Sequence, residues 1–527
     1  MIRLPLPPLR GLLLAALLGL AACAAPPAPP AAAGAASAPH PADGDAVAQM
    51  RLLDRVTWGV NTAAQRQIAQ RGAPAYLQAQ LHPPPRAVLP PEAQAQVDAM
   101  TISQQPLERI VFDLEARRKA ADATRDDDAK KAAQQAYQQE LNRLGREAAQ
   151  RFVLRALYSP SQLQEQMTWF WMNHFNVFLY KSNIRVLVGD YEERAIRPHA
   201  LGRFRDLLGA TLYHPAMIRY LDNEQNAAGR INENYARELM ELHTLGVGGG
   251  YSQRDVQELA RVLTGVGVNM NGPDVPPPGV RPQLRDQYVR RGLFEFNPNR
   301  HDYGDKQLLG QTVRGRGLAE VDEALDRLAR APATARFISR KLAQYFVADE
   351  PPEALVRRME SAFRASDGDI AATLSAMFES PEFRASLGTK FRDPVHYAIA
   401  AVRLAYDERV ILNPNPVINW INRMGEPLYG HETPDGYALT QAAWASPGQM
   451  TTRFEIARAI GSSNAGLFKT EGPAPLEQPA FPQLATPLYY QVLARSLGPQ
   501  TRQALAQATS PQDWNTFLLS SPELMNR

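Results

Sequence analysis

The chain has 527 residues, 57 Lys and Arg against 54 Asp and Glu, a formal charge of +3, 45% hydrophobic residues and one cysteine. So even a charge balance gives no footing for a nucleic-acid partner. A lone cysteine, Cys23, excludes an intramolecular disulfide and a thiolate metal centre, so stability has to come from core burial.

Residues 1–22 have the layout of a secretory leader: Arg3 and Arg10, an apolar run over residues 11–20, then Leu20-Ala21-Ala22-Cys23. The run is shorter than the ~20 residues a membrane-spanning helix needs. The tract 23–47 is rich in Ala, Pro and Gly, cannot bury a core, and is expected to be an extended tether. Leu-Ala-Ala-Cys resembles the bacterial lipobox, which implies cleavage before Cys23, acylation of that residue (thioether-linked lipid and palmitate) and a membrane anchor. Ala24, rather than Asp, after the cysteine implies the outer membrane, with the body facing the periplasm. The competing reading is a secreted protein with an incidental cysteine. Loss of the leader removes Arg3 and Arg10 and lowers the formal charge to +1.

Beyond the tether the patterning is mostly helical, which predicts a mainly α, multi-helical globular body over 48–465, then a Pro-rich loop and C-terminal helices over 466–527. Residues 107–158 read as two solvent-facing helices or a helical hairpin, broken by the charge cluster at 125–131. Residues 163–180 are dense in aromatics and predict a helix buried on most sides. Helices over 232–244 and 253–264 flank the Gly-rich turn 246–250, with Ser252 and Asp255 as a capping box and Gly265 as a C-cap. Residues 268–291 read as a long surface loop. A small β-hairpin is expected near 293–313, with 293–296 pairing to 307–313 across a polar turn. Helices resume over 321–406.

The candidate chemistry falls in three places. Along a helix from 230 to 245, a rotation of about 100° per residue gathers Arg230, Asn234, Arg237, Glu238 and Glu241 beside an apolar stripe of Ile231, Tyr235, Leu239 and Leu242. That face is either a lattice of surface pairs such as Arg237 with Glu241 or a half-buried acid–base cluster. His243 points away from Glu241 while the helix continues. His174 lies on an aromatic stripe with Trp171, Phe175 and Phe178, where a hydrogen-bonded core histidine is commoner than a ligand, and its neighbour Asn173 must find partners if buried. The turn from Arg300 to Lys306 brings together His301, Asp302, Asp305 and Lys306. His431 has no second histidine four residues on, and the zincin, nucleophile-elbow, phosphate-loop and dinucleotide fingerprints are absent.

Several ordered motifs carry a resemblance: Trp171-x-Asn173-His174-Phe175, the run from Asn232 to Gly246, the run from Tyr251 to Arg261, and His301-Asp302-x-Gly304-x-Lys306. Together with Phe337 to Leu342, Ser380-Pro381-Glu382-Phe383 and Pro434-Asp435-Gly436-Tyr437, they resemble the exported bacterial family catalogued as domain of unknown function number 1800, over about residues 52–460. Tyr437 stands where that family is expected to have Trp. The resemblance implies a mostly helical body and no assigned reaction. It also implies that His174, Glu238, Glu241, His243, His301, Asp302 and Lys306 converge in one pocket. Two functions follow. One is a periplasmic enzyme with Glu238 or Glu241 as base, His174 or His301 as acid or metal ligand, and Arg237 or Lys306 holding an anion; a divalent zinc, iron or manganese ion would suit such ligands. The other is a non-catalytic envelope protein assisting a second exported, sulfatase-like partner, whose association with this family the resemblance implies. Three or more of these side chains on one cleft favours the enzyme.

Overall fold

The computed structural model describes residues 43–85, 87–272, 279–462, 464–469 and 481–527; the leader, Cys23, most of the tether and much of the Pro-rich stretch lie outside them. Local chemistry sets several helix starts. The Asp126 side chain accepts from the Ala129 amide at 2.8 Å and begins the helix Asp127–Tyr158, which pairs with Leu107–Ala123 as the expected hairpin. The outer half of that hairpin, about residues 116–140, is largely exposed. From Leu141 onward, Leu141, Leu144, Ala148 and Phe152 recur at helical spacing and are buried. Ser252 and Asp255 form the reciprocal capping box that starts Gln253–Val262, and Gly265, at φ +83°, turns the chain beyond it.

The aromatic segment forms the helix Gln162–His174, shorter than the expected 163–180, with every residue except Gln164 buried. Trp171, Phe170, Phe175 and Phe204 are among the most fully enclosed side chains, and the Trp171 indole N–H donates to the Ala200 carbonyl at 2.9 Å. The later helices Ala319–Arg330, Pro332–Phe346, Glu353–Ala365, Ile370–Phe378 and Pro394–Tyr406 fill the region expected to be helical. The C-terminal helix Pro511–Leu519 packs on Pro447–Gly461, and the buried Arg527 side chain donates to Gln166 Oε1 at 3.0 Å, so the last residues are built into one compact unit spanning 42–527. No helix among the described residues is long and apolar enough to cross a membrane.

The β structure corrects the expected pairing. Strands β1 (Val266–Val268), β2 (Val289–Arg291) and β3 (Phe294–Phe296) form an antiparallel sheet in the order β1-β3-β2, with Phe296 opposite both Val266 and Val289. Strand β4 (Lys306–Leu308) pairs instead with β5 (Gln311–Val313). Two tight turns explain this. Leu309 and Gly310 both have positive φ, the backbone of a two-residue hairpin, and Gly292 at φ +58° folds β2 back onto β3. Local closure therefore outcompetes the longer pairing of 293–296 with 307–313. The expected loop 268–291 likewise contains β2 and the short helix Pro282–Gln287.

Candidate functional site

At the C-terminal end of Gln162–His174 the chain leaves the helix, and the two asparagines there grip a distant loop. Asn173 donates to the Tyr437 carbonyl at 2.9 Å and accepts from the Tyr437 amide at 2.6 Å, and Asn176 donates to the carbonyls of His431 and Thr433 at 3.0 and 2.8 Å. Gly436 lies so close that an added Cβ would meet the Asn173 carbonyl oxygen at 2.2 Å. The buried asparagine that is odd in so aromatic a helix therefore fixes the 431–437 loop beside His174.

Opposite, the expected helix over 230–245 begins only at Asn234 and after Glu238 widens into a π-helix, Leu239–Thr244. Thr244 Oγ1 donates to the Leu239 carbonyl, five residues back, at 2.6 Å. A π turn adds one residue to the helical step, a rotation of about 100°, and such turns are frequent at functional sites. It breaks the predicted face: Ile231 is exposed ahead of the helix, Leu242 is half-buried, and only Tyr235 and Leu239 of that stripe are buried. Arg237 does not pair with Glu241 but with Glu233 at 2.9 Å and Gln253 at 3.0 Å, on the surface. His243 turns inward, with its ring centroid 5.1 Å from that of Phe175 and 6.1 Å from that of His174.

His174 Nε2 lies 3.0 Å from the His243 carbonyl oxygen. Because a carbonyl only accepts, Nε2 carries the proton and Nδ1 is left as a lone pair. That Nδ1 and His243 Nε2 are both buried without a hydrogen-bond partner. On the helix Pro332–Phe346, half-buried Lys341 acts on both rings through its charge; its ammonium lies 5.6 Å from the Phe337 ring centre, with no hydrogen bond or ion pair among the described residues. Burial pushes Lys341 down to about 8 against the partial support of Asp435. Burial, aided by the Lys341 charge, pushes His243 down to about 3 and His174 well below the ordinary imidazole value, so both rings are neutral at pH 7.

The neighbouring carboxylates are perturbed as well. Glu238 is raised, first by burial and then by the charge of Glu241, against Arg237. Tyr251 is raised, chiefly by burial and then by the charge of Glu241. Asp435 is held below the carboxylate norm, because hydrogen bonds from Thr433, at 2.6 Å, and His431, at 3.3 Å, outweigh its burial. The Asp435 charge acts on both Lys341 and Glu238, which ties rim to core.

The remaining sequence candidates do not join them. His301 Nε2 meets Glu320 Oε1 at 2.9 Å and its Nδ1 meets the Thr264 carbonyl at 2.8 Å, while Lys306 pairs with the other Glu320 oxygen and the Asp302 carbonyl. The three side chains are fully enclosed. Burial alone would raise Glu320, but the hydrogen bonds from His301 and Lys306 hold it low. Asp302 is clamped by Arg261 at 2.8 and 3.1 Å, which lowers it. This is a closed network that joins β4 to Ala319–Arg330, with partners for its polar atoms and none left over for a ligand. His301, Asp302 and Lys306 thus form a network of their own, apart from the neighbouring rings of His174 and His243. His174 and His301 share no partner. Sequence reasoning missed Lys341 and Glu320 as site members. Lys341 lay inside a quoted family motif, which was the one available signal.

No three His, Cys, Asp or Glu side chains among the described residues gather closely enough to hold a metal ion. His174 Nδ1 and His243 Nε2 offer two nitrogen donors, short of the three or four protein ligands of a zinc site.

Fold and site together define a mainly helical protein with two buried, neighbouring histidines under the charge of a half-buried lysine. The chain belongs to the family described as "Protein of unknown function (DUF1800)", whose model matches residues 51–526 and so extends through the C-terminal helices. No curated protein and no solved structure matches it.

Proposed function

We propose that this protein is an exported lipoprotein, anchored through Cys23, whose site performs acid–base chemistry centred on Lys341. The observation that carries the catalytic reading is a pair of buried imidazole nitrogens without hydrogen-bond partners, His174 Nδ1 and His243 Nε2, both under the charge of Lys341. Buried polar groups are nearly always paired, so their demand fits a polar ligand. With Lys341 near 8, about a tenth of the molecules carry the free amine at pH 7, enough to act as a base. The His174 Nδ1 lone pair accepts a hydrogen bond from the ligand, and His243 Nε2 meets a second polar atom and orients it. Glu238, raised by burial and by Glu241, returns a proton from the rim.

Competitive amine labelling across pH, read by peptide mass spectrometry, tests the lysine. The Lys341 rate should inflect near pH 8, and an inflection above 10 overturns the reading. The alternative, a non-catalytic envelope partner, draws support from the closed His301–Glu320–Lys306 network, which needs no ligand; an ordinary lysine would leave that reading standing. The anchor has its own test. Cys23→Ser should move the protein from the membrane to the soluble periplasmic fraction, and continued membrane association sinks the anchor.

A further inference from the structure

A groove of about 560 Å³ lies between the inner half of Asp127–Tyr158, the helix Asn415–Arg423 and the segments around Tyr180 and Leu428. That volume is within the ~300–1,000 Å³ of small-molecule sites. No carboxylate lines it; its polar side chains are amides and guanidinium groups, with Tyr180 the one phenol. Arg185, only 9% exposed, hydrogen-bonds Asn142 Oδ1 at 2.6 Å and Gln138 Oε1 at 2.7 Å, both neutral, while its Nε is buried without a partner. Gly145 lies against the Arg185 stem, where a Cβ would stand at ordinary contact distance, 3.5 Å. A buried guanidinium ordinarily has an acid to offset its desolvation. Here it has amides and an opening.

The rest of the lining narrows the ligand. Arg146 stands exposed with no ion pair among the described residues, a second unneutralised cation. Asn419 and Asn422, one helical turn apart and exposed, present amides able to both donate and accept, as hydroxyl groups require. Tyr180 is 61% exposed beside Arg185, whose guanidinium lies 5.8 Å from its ring centre, and offers an aromatic face to an apolar ring surface. Ile418 and Leu428 supply an apolar floor.

We propose that this groove binds a carboxylate-bearing sugar, with Arg185 and Arg146 on the carboxylate, Asn419 and Asn422 on the hydroxyls and Tyr180 against the pyranose face. The site is separate from Lys341, and its success or failure leaves the acid–base reading untouched. The test is isothermal titration of the detergent-solubilised full chain with glucuronic acid, glucose and inorganic phosphate. Glucuronate should bind and glucose should bind at least tenfold more weakly. Tyr180→Ala and Arg146→Gln, both exposed positions, should each weaken glucuronate at least fivefold with an unchanged melting temperature. Equal binding of glucose, tighter binding of phosphate, no binding of glucuronate, or indifference to both substitutions would overturn the proposal.

Discussion

Glu320→Ala is expected to cost about 3–5 kcal/mol of folding stability, the range for removing one partner of a buried ion pair. The substitution strands the Lys306 side chain and His301 Nε2 in a fully enclosed site, and frees the amides of Arg316 and Gly317, which donate to Glu320 at 2.5 and 2.9 Å. Denaturant melts read the loss directly, and a change below about 1 kcal/mol contradicts the structural role given to this network. The pH dependence has a definite sign. Glu320 is held below its unfolded value of 4.5, so its contribution is present above pH 4.5 and is lost as pH falls through the lower folded value. The Ala variant should lack that acid-side loss.

Lys341→Met should do the reverse at neutral pH: raise stability by roughly 1–2 kcal/mol while abolishing whatever the site does. Lys341 titrates near 8 in the fold and at 10.5 when unfolded, and each pH unit is worth ~1.4 kcal/mol before solvent around the half-buried side chain discounts it. Between those values the unfolded chain holds the extra proton, so wild-type stability climbs as pH rises from about 8 to 10.5 and is lowest, on this account, below 8. The Met variant should show no such climb. Matched thermal melts at pH 7 and pH 9.5 decide it. A variant less stable than wild type at pH 7 means that Lys341 is a structural member of the core.

Glu320 and Lys341 also mark how far local pattern reaches. The helical class, the hairpin broken near 125, the Ser252–Asp255 cap and the buried aromatic helix were legible because each depends on residues within one or two turns of one another. The family motifs pointed to His174 and His243, whose rings lie 6.1 Å apart. The same motifs pointed equally to His301, Asp302 and Lys306, which the fold uses elsewhere. Nothing in the spacing of a histidine says whether a ring nitrogen will be met by a carboxylate 19 residues on, as the His301 Nε2–H is by Glu320, or left without a partner.

By itself, the amino-acid sequence determined the helical class, the capped start of Gln253–Val262 and the burial of the aromatic helix, since capping and hydrophobic period act over a few residues, whereas the strand pairing and several helix ends did not follow from it. Only the tertiary structure decided that the 239–244 turn opens into a π-helix and swings His243 onto His174, that Lys341 arrives from another helix without a counter-ion, and that Glu320 closes the second cluster. Those outcomes depend on partners brought together from up to 167 residues apart in the chain, as Lys341 is from His174, by burial of the whole core rather than by any local preference.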